Sequence, residues 1–181
     1  HRRSSAASDV YKRQLKRFTQ KWPDHEMSAR AMYRHADVLR GEGELVEAHK
    51  MAERGISVFP ESVGAKECRN LINQIEAKSS LVKTERVWNA PFPEIQLRYR
   101  NLTKAYFRVV SYDWVTYMRE SNRHSEYIPS NERKQWLAKK PVKEWSVDLP
   151  PTKDFKERVE KITPPKDCLL YTSDAADDLR C

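Results

Sequence analysis

Ile95-Gln-Leu-Arg-Tyr-Arg-Asn-Leu-Thr-Lys-Ala-Tyr-Phe-Arg-Val-Val110 is the stretch on which the fold turns. Ile95, Leu97 and Tyr99 alternate with Gln96, Arg98 and Arg100. That period of two puts one face of a strand in a core and the other in water. Asn101-Leu-Thr103 has room only for a turn. Residues 104–112 are then dense in Tyr, Phe and Val, which suit a pleated surface. Alternation sends Phe107 and Val109 inward and Tyr106 and Arg108 outward. Downstream, Trp145, Val147 and Leu149 alternate before Pro150-Pro151, and the polar residues 130–140 read as a short helix inserted between strands. Upstream, residues 81–88 form a weaker strand, set apart by a Pro-containing loop at 89–94. Antiparallel strands with short turns imply a β-sandwich.

Before residue 80 the period is that of a helix. Met27, Ala31, Ala36, Val38 and Leu39 carry the first apolar stripe, and Gly41-Glu-Gly43 breaks it with a tight turn. Leu45, Ala48, Ala52 and Ile56 follow at spacings of 3 to 4, ended by Pro60. Ser62 or its neighbour caps a third helix over residues 63–78, striped by Ala65, Cys68, Leu71, Ile72 and Ile75. The pattern repeats: Trp22-Pro23-Asp24 returns as Phe59-Pro60-Glu61, 37 residues on, and Ser28-Ala29-Arg30 as Gly64-Ala65-Lys66, 36 on. Two helices per unit with a period in the thirties mark a helical repeat. Ala36, Leu39, Ala48, Ala52, Gly55 and Pro60 fall where tetratricopeptide repeats put their packing residues, so residues 24–60 resemble one such unit. They depart from it at Met32, where the repeat has Trp, and at Ala52, where it has an aromatic residue. Residues 15–23 then read as the tail of an earlier unit and 63–78 as the first helix of a later one.

The two ends carry a different signal. His1–Gln14 can be encoded by a DNA segment whose reverse complement, shifted one base, encodes Cys168–Cys181 residue for residue. The fixed part of that segment looks like a transposase adapter from a sequencing library. Residues 1–14 and 168–181 are therefore read as translated adapter and set aside before any fold reasoning. Residues 15–80 are read as the helical segment, and 81–167 as a β-sandwich cut short before its closing strand. The ends, never selected with the rest, are expected to pack poorly. The helical half is expected to be the better ordered of the two.

The 153 residues between the ends keep 29 basic and 22 acidic side chains, a net charge of +7. The charges are interspersed, and no basic cluster is longer than the pair Lys139-Lys140, which describes a solvated surface better than a nucleic-acid footprint. Cys68 is the one cysteine outside the ends, too few for a disulfide or a cysteine zinc site, and it reads as a buried, inert thiol. No apolar run approaches the length of a membrane span. His25 and His35 lie ten apart with no His-x-x-x-His pair, and His124 and Glu126 share a polar loop with no third ligand in view. Gly41, Gly43, Gly55 and Gly64 do not compose a phosphate-cradling loop. No serine has a nucleophile-elbow context, and no carboxylate sits in an apolar setting that would tune it for acid–base work. The expectation is a non-enzyme with no catalytic, cofactor-binding or metal-ligating residue. Two other classes compete: a helical-repeat adaptor presenting a groove to a peptide, and a basic nucleic-acid-binding module built on Lys104-Ala-Tyr-Phe-Arg-Val-Val-Ser-Tyr112. The latter lacks the glycines of an RNA-recognition signature.

Pro91-Phe-Pro93, Leu97-Arg-Tyr-Arg-Asn-Leu102 and Tyr106-Phe-Arg-Val-Val110 together resemble the first macroglobulin-type β-domain of large bacterial alpha-2-macroglobulin family proteins. Phe59-Pro-Glu-Ser-Val-Gly-Ala65 fits the helical repeats upstream of that domain, and Leu149-Pro-Pro151 and Thr163-Pro-Pro-Lys-Asp167 fit its extended segments. The resemblance implies an α+β chain: tetratricopeptide-like hairpins followed by a truncated antiparallel sandwich. It also makes a strand of residues 155–162, although Phe155, Val159 and Ile162 stand at helical spacing. Such proteins lie in the cell envelope or periplasm and trap proteases by way of a bait segment and, in many, a thioester. The thioester needs Cys-x-Glu-Gln, whereas Cys68 precedes Arg69-Asn70-Leu71, so the resemblance carries no site residue to this chain. It implies as partners the other domains of the same long chain and, through the full-length protein, proteases. It implies no nucleic acid, no cofactor, and membrane contact only through an anchor elsewhere.

Overall fold

The computed structural model describes residues 2–84, 94–111, 119 and 130–165. Helices come first and strands after, an α+β order. The helices α1 (Arg2–Lys21), α2 (Met27–Gly41), α3 (Leu45–Val58) and α4 (Val63–Glu76) lead into strands β1 (Ser79–Lys83), β2 (Ile95–Arg100) and β3 (Lys104–Val109). Helix α5 (Ser130–Ala138), β4 (Lys143–Asp148) and β5 (Arg158–Ile162) complete the described elements. The chain divides into two compact units. One joins His1–Ser79 with Tyr99–Asn101 and Thr152–Arg158, and the other holds Ser80–Arg98, Leu102–Pro151 and Val159–Cys181.

The helical unit is built on small side chains. Its core is Ala36, Ala48, Ala52, Cys68, Leu71 and Ile75, with Tyr33, Leu39, Leu45, Met51, Ile56, Ile72 and Phe155 around it. A methyl group added at Gly55 would stand 2.7 Å from Cys68 Sγ, and one at Gly64 would stand 2.6 Å from the Ala29 carbonyl carbon and 2.8 Å from Arg30 Cα. Helices α2, α3 and α4 therefore touch almost backbone to backbone, and the alanines and glycines of their inner faces permit it. Two turns set this up. Between α2 and α3, Gly43 takes φ 82°, its N–H donating to Arg40 O while Glu44 N donates to Leu39 O. This leaves two last-turn carbonyls satisfied. At α4, the Ser62 hydroxyl accepts from Ala65 N at 3.1 Å, the cap expected there. Helix α4 stops at Glu76, two residues short of the expected end, and Ser79 already opens β1. The expected strand over 81–88 accordingly begins earlier, and its part from 85 onward lies outside the described residues.

The strands fall in a three-stranded sheet of order β1-β2-β5 and a two-stranded sheet β3-β4. Ile95, Leu97 and Tyr99 are all buried, as their alternation requires. The β3–β4 pair is antiparallel in the register Phe107↔Trp145, with the two rings stacked 5.0 Å apart. Its inward residues are only half buried, whereas Ile95, Leu97, Leu149 and Ile162 make the buried part of this unit. Although residues 101–103 alone separate β2 from β3, the two strands belong to different sheets. Residues 155–162 divide: Arg158–Ile162 is a strand, while Phe155, at φ 58°, stands outside it in the helical unit. The helical spacing of Phe155, Val159 and Ile162 thus has no helix behind it.

Helix α1 runs unbroken through the boundary between residues 14 and 15. No described side chain along it is buried, and Val10, Tyr11 and Phe18 are exposed. Its first half is tied down by Ser8 Oγ donating to Glu42 Oε1 and by Lys12 Nζ paired with Glu42 at 2.7 Å and Asp9 at 3.1 Å. Those pairs hold the Lys12 ammonium above its ordinary pKa and the Glu42 carboxyl below its own. Exposed pairs of this kind contribute little. Deleting residues 1–14 should move the melting temperature by less than about 4 °C, the equivalent of roughly 1 kcal/mol in a unit this size. A larger fall by calorimetry would make the first half of α1 a working part of the fold.

Candidate functional site

Two places in the helical unit gather polar side chains. The first is the C-terminal end of α4, whose last carbonyls have no helical partner. Asn101 answers them. Its left-handed backbone, φ 56°, turns the side chain so that Nδ2 donates to Ile75 O at 2.8 Å and Ala77 O at 3.2 Å. Asn101 N donates to Thr152 Oγ1 at 2.8 Å, and the Thr152 hydroxyl donates back to Asn101 Oδ1 at 3.2 Å. Arg100 Nη2 reaches Gln74 O at 3.4 Å. Both amide hydrogens and the threonine hydroxyl hydrogen are therefore spent within the protein, and the amide oxygen also has a partner there.

Beside this end, His49 of α3 lies between Glu76 Oε1, 2.8 Å from Nε2, and Glu53 Oε2, 3.5 Å from Nδ1. Its ring stacks on Phe155 at 5.1 Å. The turn that presents Phe155 is closed by its N–H donating to Thr152 O. It is braced by Asp154, whose carboxyl is held below its ordinary pKa by the hydrogen bond from Arg158. His49 and Thr152 were not among the residues the sequence singled out, and Asn101 and Phe155 were read only for their backbone, the one as a turn residue and the other as part of a strand. The one local signal was an asparagine in a three-residue turn, a type that tolerates the left-handed region. The pairing of residues 49 and 155 has no signature in a single sequence.

The second place is an open cleft of about 240 Å³ lined by Lys16 and Thr19 from α1, Met32 and His35 from α2, and Met51 and Arg54 from α3. Met32 is buried and floors it, and Lys16 and Arg54 are exposed at its rim. Burial first, then the nearby Lys12 and Lys16 charges, push the His35 imidazole below its ordinary pKa.

Of the other side chains weighed from sequence, His25 is exposed ahead of α2 and its Nδ1 accepts from Met27 N. His124 and Glu126 lie outside the described residues. Among the described residues no three His, Cys, Asp or Glu side chains gather as a metal ion requires, and no helix is long and apolar enough to cross a membrane. Cys68 is fully buried, and its thiol is pushed up to about 11, mainly by burial. At pH 8 a thiol reagent should modify it only as fast as the helical unit opens, and at once in denaturant. Immediate labelling at Cys68 in the native chain, read by peptide mapping apart from Cys168 and Cys181, would show that thiol accessible. Because the folded pKa is the higher one, this contribution to stability is intact below the ordinary thiol value of 9.0. It is lost as pH rises toward the folded value. Melting temperature should therefore decline above that pH, and less steeply in Cys68→Ala.

Of the basic–aromatic stretch 104–112, Lys104–Val109 forms β3, Val110 and Ser111 lie beyond the strand, and Tyr112 lies outside the described residues. Tyr106 is 79% exposed, but its charged neighbours are matched across the pair: Arg108 bonds Glu144, and Lys104 lies 3.6 Å from Asp148. Comparison of the chain with protein-family models, with curated proteins and with solved structures finds no match.

Proposed function

We propose that this chain is a non-catalytic structural and recognition segment of a large bacterial cell-envelope protein of the alpha-2-macroglobulin kind. In this reading α1–α4 are tetratricopeptide-like hairpins and the strands belong to a macroglobulin-type β-domain. The observation that carries it is the lock between Asn101 and Thr152. Asn101 belongs to the Tyr99-Arg-Asn-Leu102 turn, and Thr152 directly follows Leu149-Pro-Pro151, two of the motifs on which the resemblance rests. Both are spent on internal hydrogen bonds beside the end of α4, Asn101 from within one motif and Thr152 from the position after the other, the use a scaffold makes of such residues. The partners are then the neighbouring domains of the same long chain and, through the whole protein, proteases. An anchor elsewhere in that protein would supply any membrane contact. The nucleic-acid reading is weakened by the ion pairs of β3 with β4, which neutralise the strand's cations on the face that would meet phosphate.

The test is the sequence of the gene on either side of the segment encoding residues 15–167. The reading expects one long open frame with a signal segment upstream and further β-domains, among them a Cys-x-Glu-Gln run or a bait region, downstream. A stop codon shortly after Asp167 overturns it.

A further inference from the structure

We infer that the cleft over α2 is a binding site for an acidic–apolar peptide segment, one apolar side chain seated on the methionines and flanking carboxylates held at the rim. Every lining residue lies between residues 15 and 167: Lys16, Thr19, Met32, His35, Met51 and Arg54. The floor is chosen for adaptability. Met32 and Met51 are unbranched and polarizable, and they accommodate apolar side chains of varied shape. The volume, about 240 Å³, suits a side chain or two rather than a cofactor.

The rim supplies the charge. Lys12 is already occupied by Glu42 and Asp9, Arg40 by Asp37, Lys50 by Glu47 and Arg30 by Glu67. Lys16 and Arg54, which flank the cleft, have no ion-pair partner among the described residues, a property they share with Arg17, Lys21, Arg34, Lys66 and Arg69 of the helical unit; what sets them apart is their place at the cleft. Arg54 brings a planar fork suited to a carboxylate and Lys16 a mobile point charge, while the Thr19 hydroxyl donates to Lys16 O at 2.9 Å within α1. Charge of one sign over a lined depression attracts the opposite sign, and the apolar floor selects a peptide over a free small anion. This inference does not rest on the reading of the whole chain as a macroglobulin segment.

The test is fluorescence anisotropy of the full chain with a labelled peptide of alternating leucine and glutamate, beside the same peptide carrying glutamine for glutamate. Saturable binding of the glutamate peptide is expected, weakened about tenfold or more in Arg54→Glu and in Lys16→Glu, as the loss of a charge-assisted hydrogen bond requires. Both positions are exposed, so the variants should keep the parent helical circular dichroism. Met51→Glu should weaken binding as strongly by closing the floor, and Arg17→Glu, off the cleft, should not. Equal binding of the glutamine peptide, no saturation, or affinities indifferent to Arg54→Glu and Met51→Glu would each overturn the inference.

Discussion

Gly64→Val should unfold the helical unit or lower its melting temperature by more than about 10 °C. Gly64 lies in the first turn of α4, where its α-carbon rests on the backbone of α2. A Cβ there would meet Arg30 N, the Ala29 carbonyl carbon at 2.6 Å and Arg30 Cα at 2.8 Å. These are backbone atoms in the first turn of α2, so no side chain can rotate aside to make room. Overpacking a well-filled core costs roughly 1–3 kcal/mol when neighbours can yield, and more when they cannot. In a unit of this size each kcal/mol lowers the melting temperature by about 4–8 °C. Gly64→Ala should already be destabilising, since the clash outweighs the gain of about 1 kcal/mol in helix propensity. Gly41→Ala is the internal control of opposite sign. Gly41 closes α2 with nothing within 4 Å of its missing Cβ, so the same change there should stabilise by a few tenths to about 1 kcal/mol. Calorimetry of the three variants checks the argument. If Gly64→Ala and Gly41→Ala shift the melting temperature alike, α2 and α4 are not in backbone contact.

The contrast between these glycines shows what a sequence tells and where it stops. The stripes of α3 and α4, the breaks at Gly43 and Pro60 and the cap at Ser62 were all legible, because each is set by residues three or four apart. The stripe of α2 was legible from Ala31 on, but Met27 is exposed and Ser28 and Ala29 are buried in its stead, Ala29 against the backbone of α4. So was the alternation of Ile95, Leu97 and Tyr99. Which strands pair was not. Residues 101–103 look like the turn of a hairpin, yet β2 joins β1 and β5 while β3 joins β4, more than 30 residues away. Pairing depends on the whole chain, and a short turn can also carry it from one sheet to another. The stop of α4 at Glu76 was illegible for the same reason: the groups that take its last carbonyls come from residues 100 and 101. For the candidate cleft, the sequence offered His35 as a lone histidine. Only the packing of α1 and α3 on α2 brought Lys16, Met51 and Arg54 beside it.

Asn101→Ala should cost the helical unit about 2–4 kcal/mol, and the cost should separate into two parts. The first is conformational. Asn101 holds φ 56°, a region that alanine enters at a cost of about 1–2 kcal/mol. The second is chemical. The alanine variant leaves Ile75 O and Ala77 O without Nδ2 and the Thr152 hydroxyl without its acceptor. Groups left unsatisfied away from water cost about 1–3 kcal/mol each, less where solvent can reach them. Asn101→Gly restores the backbone freedom and should recover the first part only. Asn101→Asp keeps an acceptor for Thr152 but turns a carboxylate on two carbonyl oxygens, so it should be at least as damaging as alanine at neutral pH and milder when the carboxyl is protonated. Thr152→Val removes the hydroxyl from the other side, with Asn101 N losing its 2.8 Å partner. Because the two residues bond each other twice, their changes cannot add. In urea titrations Asn101→Ala with Thr152→Val should cost less than the sum of the single changes, by about 0.5–3 kcal/mol. Strict additivity would mean that Asn101 and Thr152 act on α4 separately, and the lock on which the scaffold reading rests would be lost.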